Sequence, residues 1–87
     1  MDKYEYSLKL DQMKNLCEEE NYDAAADIAD TINWNKVKNV NALVKVGEVF
    51  EKAERYQESH DVLLMAYDLY KYSHLLNILI LLYYQMN

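Results

Sequence analysis

The chain has 87 residues, 52% of them hydrophobic and 28% charged, with a net charge of −6, one Gly, no Pro and one Cys. That composition excludes a disordered segment and a disulfide-stapled secreted mini-domain. It also disfavours a sandwich or barrel, whose many turns draw on Gly and Pro. A single domain of this size buries only about 60–65% of its unfolded surface, so its stability must come from close helix packing or from a partner.

The predicted elements are all helical. Tyr6, Leu10, Met13 and Leu16 follow the spacing of one helix face, giving a first helix over 3–20. Tyr22, Ala25, Ala29 and Ile32 do the same over 22–33. Leu43, Val46 and Phe50 mark a helix over 37–53; its charges at Lys45, Glu48, Glu51 and Lys52 argue against a strand there. Tyr56, Val62 or Leu63, Ala66 and Tyr70 predict a fourth helix over 57–71. A fifth covers 74–86, with Ser73 as its N-cap. Asn21 and Arg55 fall in tight turns, while Asn33-Trp34-Asn35 and Tyr72-Ser73 join one helix pair to the next.

Sliding the sequence on itself by 34 residues aligns Glu20-Asn21-Tyr22 with Glu54-Arg55-Tyr56 and Asp27-Ile28 with Asp61-Val62. It also sets Leu16 on Phe50 and Ala29 on Leu63. The small residues Ala25, Ala29, Gly47, Ser59 and Ala66 let antiparallel helices approach closely, and Tyr22 and Tyr56 would fill the hairpin ends. The second unit reads Leu43-x2-Val46-Gly47-x2-Phe50, then Ser59-x3-Leu63 and Ala66; the first reads Gln12-Met13-x2-Leu16, then Ala25-x3-Ala29.

This pattern resembles the tetratricopeptide repeat (TPR), whose 34-residue unit is a helix–turn–helix. The resemblance implies an all-α, TPR-like α-solenoid of antiparallel helix hairpins. It would comprise about five helices and two and a half repeats in one domain, 1–87: repeat 1 about 3–36, repeat 2 about 37–71 and an extra terminal helix about 74–86. Gly occurs in only one unit, and Val37 and Lys71 stand where the family has Pro. Ala29-Asp30 and Met65-Ala66-Tyr67-Asp68 also look like the N-terminal repeats of longer bacterial TPR proteins, which implies a fragment whose regulatory or accessory function lies in absent residues.

The family implies a protein-interaction scaffold and no enzyme. Its concave face would carry Leu10, Lys14, Cys17, Asn41, Val44, Glu48 and Glu51 and take a protein, a peptide or a partner helix. One subclass clamps a carboxylate, but at the matching places this chain has Leu10, Lys14, Lys45, Leu75 and Leu79, so no such clamp is expected.

Other candidate sites read as ordinary surface. Asp23, Asp27 and Asp30 form a helical stripe without the further ligands that a cation needs. His60 and His74 lack a metal-spaced partner, and the acids after Cys17 oppose a reactive thiolate. Neither a metal nor a cofactor is expected. Trp34 reads as the seal between hairpins. Residues 1–35 hold nine acids against three lysines, which repels phosphate backbones and excludes nucleic acid. The lone cysteine fits the cytoplasm. The run from Leu75 to Tyr84 falls short of the roughly 20 residues that span a bilayer, so no membrane partner is expected.

The last helix is the most informative segment. From Leu75 to Met86 only Asn77 and Gln85 are polar. A helix apolar nearly all round belongs inside something. Leu75, Ile78, Leu79, Leu82, Tyr83 and Met86 are therefore predicted to mediate self-association into a homo-oligomer; a different protein or residues beyond the chain are the other possible covers.

Overall fold

The computed structural model describes residues 2–86, with the side chains of residues 2–85. Four α-helices and one short 3-10 helix follow in order: α1 (Lys3–Glu18), α2 (Tyr22–Ala29), the 3-10 turn Trp34–Lys36, α3 (Val40–Lys52) and α4 (Tyr56–Met86). The fold is all-helical, as expected. Among the described residues there are four α-helices, however, and not five.

Helix α1 starts where the Asp2 carboxylate accepts the Glu5 amide at 2.7 Å. Its end and that of α3 are closed by the same turn. Glu20 and Glu54, 34 positions apart, both adopt the left-handed conformation, with φ of 59° and 62°. In the first turn the Asn21 amide donates to the Leu16 carbonyl at 2.8 Å, and in the second the Arg55 amide donates to the Phe50 carbonyl at 2.8 Å. Each is the long bond of a helix C-terminal motif that ordinarily carries Gly at the left-handed position.

Helix α2 is shorter than the expected 22–33. Beyond Ala29 the chain tightens: the Thr31 and Ile32 amides bond to the Ile28 and Ala29 carbonyls, the Thr31 hydroxyl donates to the Ile28 carbonyl, and Trp34 Nε1 donates to the Ala29 carbonyl at 3.0 Å. These carbonyls are engaged by residues three to five positions on, which replaces continuation of the helix. Helix α3 begins at Val40 and not at 37, because Asn39 Oδ1 accepts the Ala42 amide and acts as the N-cap.

Successive helices pack on one another, α1 on α2, α2 on α3 and α3 on α4. The core gathers Met13, Ala25, Ala26, Ala29, Ile32, Trp34, Leu43, Val46, Val49, Phe50, Val62 and Ala66. All five small residues marked by the repeat spacing are buried. At Gly47 a Cβ would lie 2.6 Å from Leu63 Cδ2 and 2.7 Å from its Cγ, and the buried Ser59 hydroxyl donates to the Gly47 carbonyl at 2.8 Å. Tyr22 is half-buried, but Tyr56 is 63% exposed and does not fill a hairpin end.

The expected break at Tyr72-Ser73 is absent. Residues 56–86 form one helix, and Ser73 is an interior residue and not an N-cap. Physically, Lys71-Tyr72-Ser73-His74 contains neither Gly nor Pro, and a single Ser in a helix costs only about 0.5 kcal/mol. Helix α4 is therefore about 46 Å long, which accounts for most of the 53 Å long axis of the molecule. Every residue from Tyr70 to Gln85 is exposed.

Two outcomes follow for stability. Gly47→Leu will lower the unfolding free energy by about 1–3 kcal/mol through overpacking against Leu63, measured by urea denaturation. Glu54→Gly will raise it by about 0.5–1 kcal/mol, because relief of left-handed strain exceeds the added chain entropy. An unchanged or lower denaturation midpoint for Glu54→Gly contradicts the strain at that turn.

Candidate interaction surfaces

Two surfaces stand out, a groove on the helical body and the projecting part of α4. The groove, of about 590 Å³, runs between α1 and α3. Leu10, Lys14, Cys17, Asn41 and Glu48 of the expected concave face line it. Val44 and Glu51 are exposed but lie outside its lining. Met13, Trp34, Val46 and Val49 form its apolar base, with Tyr22, Lys45 and Lys52 also at its walls. The face that α3 turns to the groove is Asn41, Lys45, Glu48 and Lys52, a stripe at i, i+4, i+7 and i+11. The repeat register instead selects 41, 44, 48 and 51. That register leaves out Lys52 and gives Lys45 only as a clamp position, although the alternative spacing is present in the sequence.

Trp34, at the base of the groove, also makes an aromatic joint to α1. Trp34 is 7% exposed and meets Tyr6 edge-on, with ring centroids 6.5 Å apart. Lys52 Nζ lies 5.3 Å from the centroid of the Tyr22 ring. Burial pushes the Cys17 thiol above its ordinary value, and the positive charge of Lys52 offsets this only in part. A protonated thiol is a poor nucleophile.

Arg55 forms a charged clamp outside the groove lining. Its guanidinium donates to Asp30 at 2.6 Å and to Glu58 at 3.2 Å, with Asp27 at 3.9 Å, and it lies 5.2 Å from the centroid of the Phe50 ring. The hydrogen bond to Asp30 does most to hold Arg55 above its ordinary pKa, and that to Glu58 adds to it. Two members of the Asp23, Asp27 and Asp30 stripe thus pair across to the start of α4. The sequence placed Arg55 only in a turn.

His60 sits at the surface, 3.8 Å from Asp61, and His74 stacks on Tyr70 at 6.1 Å. Among the described residues, no group of three or more His, Cys, Asp or Glu side chains is gathered to hold a metal ion, and no helix is long and apolar enough to cross a membrane.

The second surface is the α4 tail. Leu75 is 54% exposed, Ile78 40%, Leu79 55%, Leu82 50% and Tyr83 65%. Leu76, Ile80, Leu81 and Tyr84 are exposed as well. The Met86 side chain lies outside the described residues. Comparisons with known protein families, with curated proteins and with solved structures find no match to this chain.

The thiol geometry predicts that Cys17 reacts with iodoacetamide at pH 7.5 severalfold more slowly in the folded chain than in denaturant. Equal rates, followed by mass spectrometry, contradict its partial burial.

Proposed function

We propose that this chain is a TPR-type protein-interaction scaffold, not an enzyme, which self-associates through the apolar tail of α4. The observation that carries this reading is the run of large apolar side chains from Leu75 to Tyr84 left in water on one projecting helix. Each such side chain forgoes about 1.5–3 kcal/mol of burial. Nine of them, each 40–72% exposed, surround the helix, more apolar surface than an isolated helix end normally leaves in water.

The repeat identity is supported by the two matched turns at Glu20 and Glu54 and by the small-residue contacts of Gly47, Ser59 and Ala66. The short α2 and the unbroken α4 set this chain apart from a regular repeat. In this reading, the groove between α1 and α3 takes a peptide or partner helix, with an apolar floor for its buried face and lysines at the rim. A second reading, in which a following helix of a longer chain covers the α4 tail, draws on the same exposed residues.

Sedimentation over a range from low micromolar to several hundred micromolar tests the proposal. The expected result is a mass that rises above one 10.4 kDa chain. Leu79→Glu will weaken association about ten- to a hundredfold, while Glu48→Lys on the groove will leave it within about twofold. A folded monomer throughout overturns self-association.

A further inference from the structure

The tail carries more than general hydrophobicity, because the stripe of α4 that packs on α3 does not stop where α3 does. In the first half of α4 that stripe is Ser59, Val62, Ala66 and Leu69, of which the first three are buried and Leu69 packs against the core. The spacing alternates three and four, and it continues without a break as Ser73, Leu76, Ile80 and Tyr83. This is a heptad seam of the kind that pairs helices. Helix α3 has 13 residues and α4 has 31, so the seam runs on past its intrachain partner into a segment where every residue is exposed.

The seam specifies its own complement. About a two-fold axis that crosses the seam at the axial level of residue 78, an antiparallel second copy places Leu76 opposite Ile80 and Ser73 opposite Tyr83. Small then faces large at both ends, and branched aliphatic side chains meet in the middle, which is the alternation that fills a helix interface. A parallel pair would set Ser73 against Ser73 and Tyr83 against Tyr83, leaving a void at one end and crowding at the other. The antiparallel arrangement also puts the two acidic helical bodies at opposite ends. From Tyr70 to Gln85 the only formally charged residue at neutral pH is Lys71, so the segment offers little charge to select an unlike partner.

Resting on the self-association proposed above, we infer that the α4 tails of two copies pair antiparallel through Ser73, Leu76, Ile80 and Tyr83. Each partner tail continues the line that α3 occupies on the first half of α4. Leu75, Ile78 and Leu82 lie about 100° or more around the helix from this seam and are left for a second pair to cover. The interface is isologous, as a two-fold contact requires.

Disulfide trapping in a Cys17→Ser background tests the inference, with one chain carrying Ser73→Cys and another Tyr83→Cys. In the antiparallel pair a 73–83 disulfide forms on mixing, and neither variant cross-links alone, because like positions are separated by about 15 Å along the axis, beyond the roughly 7 Å reach of a disulfide. Cross-linking of each variant alone means a parallel pair and overturns the inference. Absence of every cross-link in a chain that sediments as an oligomer also overturns it, while leaving self-association standing. A wild-type chain that stays monomeric, including one that binds only an unlike protein, overturns both. Circular dichroism of each variant separates a lost interface from a lost fold. Ile80→Glu, which places a charge at the centre of the seam, will reduce cross-linking at least tenfold without reducing the helicity of the body.

Discussion

At Gly47 the backbone of α3 comes so near to Leu63 that a methyl group has no room, and Ser59 holds the contact by donating to the Gly47 carbonyl. This approach fixes how α4 crosses the rest of the molecule. Once α3 and α4 lie this close, Val46, Phe50, Val62 and Ala66 enclose one another, and the α4 seam is turned toward α3. The direction of the tail then follows, since nothing interrupts the helix between Ala66 and Met86. The exposed seam beyond α3 is thus a geometric continuation of the best-packed contact in the chain.

Charge reinforces the same framework from outside. The acids of residues 1–35 would repel one another across the surface of a small body, and Arg55 draws Asp27, Asp30 and Glu58 together at the junction of α2 and α4. Phe50 under the guanidinium provides an apolar support, so the clamp links the surface charges to the core. The groove retains a mixed rim of Lys14, Lys45, Lys52, Asp11 and Glu48. The body therefore separates a recess with an apolar floor and a charged rim from an almost uncharged tail, two surfaces suited to different kinds of contact.

Much of the body was legible in the sequence because local spacing and tertiary packing agree there. The two turns, the small-residue contacts and the burial of Trp34 all follow from residue types at helical or 34-residue intervals. The structure departs from the 34-residue pattern where residues obey nearer interactions. Thr31 and Trp34 take the carbonyls that would have extended α2, and Asn39 starts α3 later than the pattern does. At Tyr72-Ser73 the pattern supplies a turn but the chain supplies no residue that stops a helix. Two of the four expected α3 positions, Val44 and Glu51, fall outside the groove, because adjacent residues such as Val44 and Lys45 offer alternative stripes and the sequence alone does not fix the rotation of a helix about its axis. The Arg55 clamp is not legible from spacing, because its partners Asp27 and Asp30 lie on and just beyond α2.

The uninterrupted passage of α4 through Tyr72 and Ser73 makes the body and the tail a geared shaft. Each residue advances the helix by about 100°, so the bearing of the tail seam is set by the number of residues between Ala66 and Leu76. One residue added in that interval would turn the seam to a different side of the body, whereas seven would nearly restore it while moving the contact about 10 Å further out. In the proposed pair, sequence length in this interval would set the angle at which the two bodies face one another. The middle of α4 thereby acts as a phase setting for any larger assembly.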